Sequence, residues 1–401
     1  MPARPYGVYV HFPWCTFRCP YCDFAVTTAS PIPGDRYARA VVDELRRRAP
    51  GFAPLACSTL YIGGGTPSLW EPEPLARIVA EVRALGLPDR AEVTLEANPE
   101  SVTAARADAW RRAGVNRLSI GVQSFDAAVL RKLGRRHGPD EAERAVRVAA
   151  RALPNVSIDL IYGGRQSSPE TARADAARAA SLPVTHVSAY ALTLEGEVLA
   201  EEVPFARLAR EGKLVFPDDE AVLAQAEALR VELARAGLRR YEVSNFALPG
   251  FESRHNLLYW RSESYLGVGA GAVGCLHAAG RATAPAAGPL GAGDPGGTAP
   301  EGGALRWSNH RGVAGWLADV DAGRPPTAEE DLVDAAQSRN ERLMLALRTT
   351  EGLAAALLSP AQAAEAGRLV QAGLASLGRG RLALTPRGLD VHSAVAERLF
   401  E

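Results

Sequence analysis

The first half of the chain alternates short apolar runs with longer amphipathic stretches. Gly7–Phe12, Thr59–Ile62, Glu92–Glu96, Arg117–Val122, Ser157–Tyr162 and His186–Leu192 read as strands. Between them, Asp35–Arg48, Glu73–Leu85, Thr103–Ala113, Asp140–Ala152 and Pro169–Ala180 carry apolar residues at helical spacing. Turn residues such as Gly34, Pro88, Pro99 and Gly114 mark the boundaries. Strands that read as apolar on both faces and alternate with helices predict a parallel α/β sheet. Right-handed crossovers then set the strands side by side with the helices outside. Six such units fall short of the eight that close a barrel, and periodicity alone leaves closure open. In either arrangement ligands gather beyond the C-terminal ends of the strands.

Asp218–Ala236 gives another helical pattern, followed by the polar–aromatic run YEVSNFALPG. From Ala278 to Ala304 the chain is rich in Ala, Gly and Pro and poor in large apolar residues. Such a stretch buries too little surface to offset its ordering entropy, which predicts a flexible insertion. Asp331–Glu401 shows helical patterning, then LALTPRGL and a terminal helix. The expected division is a core over 1–217, a connecting segment over 218–277, the insertion over 278–304 and a smaller helix-rich domain over 305–401.

Composition narrows the class. The 401 residues are 47% hydrophobic and 23% charged, as in an ordinary globular protein. A formal charge of −1 leaves no electrostatic footprint for nucleic acid. No apolar run reaches the roughly 18 residues of a membrane span. The start MPARPYGVYV lacks the features of a signal peptide. Five cysteines, an odd number in a chain too long to need stapling, argue against a disulfide framework. Free thiols without an export signal predict a cytoplasmic protein.

The chemistry concentrates in HFPWCTFRCPYCDF, directly after the first strand. Cys15, Cys19 and Cys22 stand at C-x₃-C-x₂-C spacing, close enough to wrap one metal centre. Three thiolates on a [4Fe–4S] cube leave one iron open for a chelating small molecule. Structural zinc, with His11 as fourth ligand, is the competing reading, but no second C-x₂-C arm exists. GGGTPS follows the second strand, so both segments reach the same rim, and its glycines suit close backbone approach. Glu96 ends the third strand, where a carboxylate can accept from ribose hydroxyls. Gln123 ends the fourth, RKLGRRHG follows it, and Asp159 sits as an acid within an apolar strand. A buried carboxylate without a donor is costly, so a ligand hydroxyl or protein group should satisfy Asp159.

With Tyr21 before the last cysteine, these segments resemble the radical S-adenosylmethionine superfamily. Within it the chain resembles the oxygen-independent coproporphyrinogen oxidases and their heme-chaperone relatives. The resemblance covers Gly7 to about Leu276 and resumes at Leu305. It implies an open (β/α)₆ partial barrel with a winged-helix-like C-terminal domain. It implies a [4Fe–4S] cluster on Cys15, Cys19 and Cys22. S-adenosylmethionine is implied to contact Tyr9, Tyr21, Gly64, Gly65, Thr66, Glu96, Gln123, Arg135 and Asp159. Arg135 matches the arginine that pairs with the methionine carboxylate, with Arg136 beside it. IYGGRQ departs from the family pattern, in which leucine and proline more often follow the first glycine.

The enzymes of this family carry a long segment before the cysteines and a further cysteine two residues after the last. Here 14 residues precede Cys15 and Phe24 holds the second position. RHNLLYW supplies His255, Asn256, Tyr259 and Trp260, which match the HNxxYW motif of the heme-chaperone branch. The resemblance therefore implies a protein that binds heme, with His255 in contact with it, and transfers it to an acceptor that no motif names. Oxidative decarboxylation of coproporphyrinogen III is the alternative, and no catalytic residue is assigned. The implied partners are an electron donor of flavodoxin or ferredoxin type and, in a homodimer, a second copy of the chain.

Overall fold

Six β/α units stand where the periodicity places them. They comprise β1 (Pro5–Phe12), α1 (Gly34–Arg48), β2 (Ala56–Gly64), α2 (Pro72–Ala84), β3 (Glu92–Ala97) and α3 (Ala104–Arg112). After them come β4 (Arg117–Gln123), α4 (Ala127–Lys132), α5 (Pro139–Ala152), β5 (Asn155–Tyr162), α6 (Pro169–Ala180) and β6 (His186–Ala191). This computed structural model describes residues 3–194, 203–278 and 302–400. Local chemistry sets the helix starts: Thr103 and Asp126 accept from backbone N–H groups of the first turn, and Ser168 and Thr171 form a reciprocal capping box. The six-residue α4 is too short to show a helical period.

Strands β1 to β6 run parallel in sequence order. The strands are not apolar on both faces. On β4, Leu118, Ile120 and Val122 are buried in the main core, while Arg117, Ser119, Gly121 and Gln123 line a cavity. The same alternation puts Asp159 and Ile161 of β5, and Ser188 and Tyr190 of β6, on the cavity side. A sheet with an apolar outer face under its helices and a polar inner face curls around a ligand space rather than a packed centre.

The sheet continues past both ends of the six units. Following α7 (Pro204–Arg210) and α8 (Asp219–Arg235), β7 (Arg239–Arg240) and β8 (Asn245–Ala247) extend it antiparallel beyond β6. After α9 (Arg254–Trp260), β9 (Ser264–Val268) pairs parallel with β1, so seven strands are parallel. Antiparallel β10 (Val273–His277), β11 (Ala304–Asn309) and β12 (Thr327–Val333) complete twelve strands, with α10 (Val313–Asp321) between the last two. Residues 304–333 thus join the large sheet instead of the smaller domain expected over 305–401. The exposed, acidic Thr327–Val333 strand suits the outer edge of that sheet. Residues 279–301 of the expected insertion lie outside the described residues.

Beyond Asp334 a second core forms around Leu343, Leu347, Leu369 and Leu382. It is built by α11 (Ala335–Leu347), α12 (Pro360–Gln371), α13 (Pro386–Asp390) and α14 (His392–Glu397). A three-stranded sheet of β13 (Leu353–Ala354), β14 (Ala375–Gly378) and β15 (Arg381–Leu384) completes it, in the order β13-β15-β14. Helices followed by a β-hairpin match the winged-helix-like expectation.

Candidate functional site

A cavity of about 390 Å³ lies inside the curved sheet, within the range of small-molecule sites. At its rim are Cys15, Cys19 and Cys22, all free thiols. The Thr66 hydroxyl donates to Cys15 Sγ at 3.4 Å, and Arg135 Nη1 to Cys19 Sγ at 3.6 Å. Burial raises the Cys15 thiol and pushes that of Cys22 up to about 11. Among the described residues no three His, Cys, Asp or Glu side chains converge as a single-ion site, and the thiols ring the rim instead. His11 does not join them: its Nε2 donates to Ala25 O at 2.8 Å, which leaves Nδ1 to accept from Tyr9 OH at 3.0 Å. The zinc alternative therefore lacks its fourth ligand.

The glycines are required where the chain turns from β2 beneath the rim. Gly64 has φ 117°, and a Cβ there would come within 2.6 Å of the His11 ring. A Cβ on Gly65 would lie 2.7 Å from Trp14 O, so backbone meets backbone at this point. Gln123, also at a strand end, sits at φ 68°, in the left-handed region. Asp175 holds this turn, accepting from Ser124 Oγ and Phe125 N at 2.7 Å each.

Two arginines adjacent in sequence separate cleanly in space. Arg136 lies over the Phe17 ring at 4.2 Å. Arg135 turns into the cavity, where Nη2 donates to Asn98 Oδ1 at 2.6 Å and Gly121 O at 2.9 Å. Its Nε is buried with no partner among the described residues. Below it, Glu96 accepts from Tyr61 OH at 2.7 Å and from Gly64 N at 3.0 Å. Burial, with the Asp159 carboxylate adding to it, pushes Glu96 up to about 7, against the pull of Tyr61, Gly64 and Arg117. Asp159 accepts from Ser119 Oγ at 3.2 Å and is also raised by burial.

Eight of the nine residues expected to contact the cofactor line this cavity together with the three cysteines. Tyr9 is the exception, because its hydroxyl is engaged by His11 and its ring stacks on Tyr61. His255 also stands apart from this cavity. It lies at the opposite end of the strands, fully buried, with Nδ1 bonded to Thr59 Oγ1 and Nε2 to Tyr259 OH, both at 2.8 Å. Burial lowers its pKa to about 3. Both ring nitrogens are thus engaged by hydroxyls. The N–H groups of Arg254 and His255 donate to the Glu92 carboxylate at 3.0 Å each, so α9 plugs the floor of the curved sheet. Trp260, at its far end, meets Arg348 of the second core at 4.4 Å.

Sequence reasoning missed Arg117, which also lines the cavity, and of the HNxxYW residues it is Asn256 that reaches it. Arg117 is 2% exposed, and its Nε has no partner among the described residues. Counting back in twos from Gln123 along β4 would have found it.

Three comparisons bear on this site. The Radical SAM superfamily profile matches residues 9–179. The heme chaperone HemW of Mycobacterium tuberculosis is 35% identical over 406 residues, spanning 100% of this chain and 96% of its own length. HemW of Escherichia coli is 40% identical over 273 residues, 67% of this chain and 70% of that protein. Among solved structures, the coproporphyrinogen III oxidase (HemN) from Escherichia coli, a radical SAM enzyme, overlays with a TM-score of 0.76. It covers 99% of this chain and 90% of its own at 19% identity, a likeness that speaks for the fold alone.

Proposed function

Because the chain belongs to the HemW family of heme chaperones within the radical SAM superfamily, we propose that it binds heme and passes it to an acceptor protein. The observation that carries this reading is the full-length match to a HemW relative, which extends through the second core. The donor set at the rim supports a [4Fe–4S] cluster on Cys15, Cys19 and Cys22. Three thiols and an arginine fit an anionic thiolate cluster, and binding would release the protons that burial retains. S-adenosylmethionine would bind beneath, with its carboxylate on Arg135 and its ribose hydroxyls on Glu96 and Asp159. Together the two cofactors supply one-electron reductive chemistry. The residues orient the ligand: Arg135 is preset by Asn98 and Gly121, and Glu96 by Tyr61.

An electron donor of flavodoxin or ferredoxin type, a homodimer and a cytoplasmic site belong to the same proposal. Among the described residues, no helix is long and apolar enough to cross a membrane.

One assay separates chaperone from enzyme. Cluster-loaded protein is incubated anaerobically with S-adenosylmethionine, a reductant and coproporphyrinogen III. The expected result is no catalytic formation of protoporphyrinogen IX, alongside stoichiometric heme binding. Sustained turnover would establish the oxidase instead.

A pH dependence follows from Glu96. Its ionised carboxylate accepts from ribose more strongly than the neutral acid, and its pKa is raised to about 7, so the stronger-binding form is lost as pH falls through that value. S-adenosylmethionine affinity is therefore expected to drop between about pH 8 and about pH 6 by up to roughly tenfold. Glu96→Gln should flatten the profile, as read by isothermal titration at each pH.

A further inference from the structure

Within HNLLYW the His255 and Tyr259 side chains bond to each other in the floor, whereas apolar side chains gather at the open end of the cavity. Large apolar side chains grouped in water mark interaction sites. Phe24 is 54% exposed and Tyr190 41%. Both line the cavity, as do Val26, Ile161 and Leu192. Phe24 and Val26 come from the loop after β1, whereas the other three come from the ends of β5 and β6. β1 and β6 are the outermost strands of the six-unit array, so the two groups form lips on opposite sides of the mouth. Arg18 shares the mouth, and among the described residues its hydrogen bonds are two long ones to Cys22 O, at 3.3 and 3.4 Å.

We propose that heme lies across this mouth, its macrocycle between the Phe24–Val26 and Ile161–Tyr190–Leu192 lips and one propionate on Arg18. This rests on the heme-binding reading above and adds the place. A porphyrin has broad apolar faces, which aromatic and aliphatic side chains cover, and carboxylates at one edge, which a guanidinium pairs. The inner walls, with Glu96, Ser119, Asp159 and Ser188, are polar and suit a nucleoside. Polarity thus sorts the two ligands, with the macrocycle at the mouth and the nucleoside below. Held by its faces, heme keeps its iron free for an axial ligand of the acceptor.

The test is an anaerobic titration of cluster-loaded, S-adenosylmethionine-saturated protein with heme, followed at the Soret band. Phe24→Ala/Tyr190→Ala is expected to weaken binding about tenfold or more, from lost aromatic burial. Phe24→Tyr/Tyr190→Phe should keep wild-type affinity. Arg18→Glu should weaken binding of heme but not of heme dimethyl ester, which lacks the free carboxylates. Iron, sulfide and cofactor affinity are measured on the same samples. Tyr190→Ala alone, remote in sequence from the cysteines, carries the test if the double variant loses its cluster. Wild-type affinity in Tyr190→Ala, or in the double variant at full cluster content, would overturn the site. A wild-type protein that binds no heme would overturn the chaperone reading itself.

Discussion

Cys19→Ala is expected to abolish the iron–sulfur absorbance of the reconstituted protein. Cys57→Ala and Cys275→Ala should retain about four irons and four sulfides per chain. The difference follows from position. Cys15, Cys19 and Cys22 share one cavity rim, whereas Cys57 and Cys275 are buried in separate apolar surroundings. Cys19 is the most telling replacement because Arg135 Nη1 lies 3.6 Å from its sulfur, tying the metal site to the ligand site. Losing one of three thiolates leaves two irons of a cube without protein ligands, a deficit that water does not make good. Full iron and sulfide content in Cys19→Ala would sink the assignment.

Arg135→Ala should cost S-adenosylmethionine binding about 2–5 kcal/mol, the range for truncating one partner of a buried charge pair. In affinity that is roughly 30- to 4,000-fold. Two features place the effect in the upper part of the range. The Nε is buried with no partner among the described residues, and Nη2 is fixed by Asn98 and Gly121, so the guanidinium is aimed before the ligand arrives. Arg136→Ala serves as the comparison, since that side chain lies on Phe17 outside the carboxylate's reach. Equal affinities for wild type and Arg135→Ala by isothermal titration would show that another residue holds the carboxylate.

The six β/α units were legible because strand and helix periods differ and Gly and Pro mark the joints. The cysteines and Gly63–Ser68 share a rim because each follows a parallel strand, which the order of elements already dictates. Three things were hidden for physical reasons. Arg117 enters the cavity by strand parity, where no motif marks it, and Asn256 of the HNxxYW motif enters from a helix that folds back beneath the sheet, a position the motif alone does not give. β9 to β12 are short and lie after a long helical stretch, so nothing local announces that they continue the first sheet. The surroundings of His255 were hidden because a motif names only residue types. Whether a histidine faces a ligand or two protein hydroxyls depends on the end of the strand it meets.

The α9 plug and the β9 edge have a consequence for the order in which the chain assembles. His255 meets Thr59 across 196 residues, and its N–H meets Glu92 across 163. β9 covers the flank of β1 only after more than half of the chain has been made. Until then the nascent sheet has an open floor and a bare parallel edge, a template for pairing with a neighbouring chain. Contacts of such sequence separation form slowly because loop closure must precede them. During synthesis the polar interior is thus a vulnerability, and residues 254–268 are what end it.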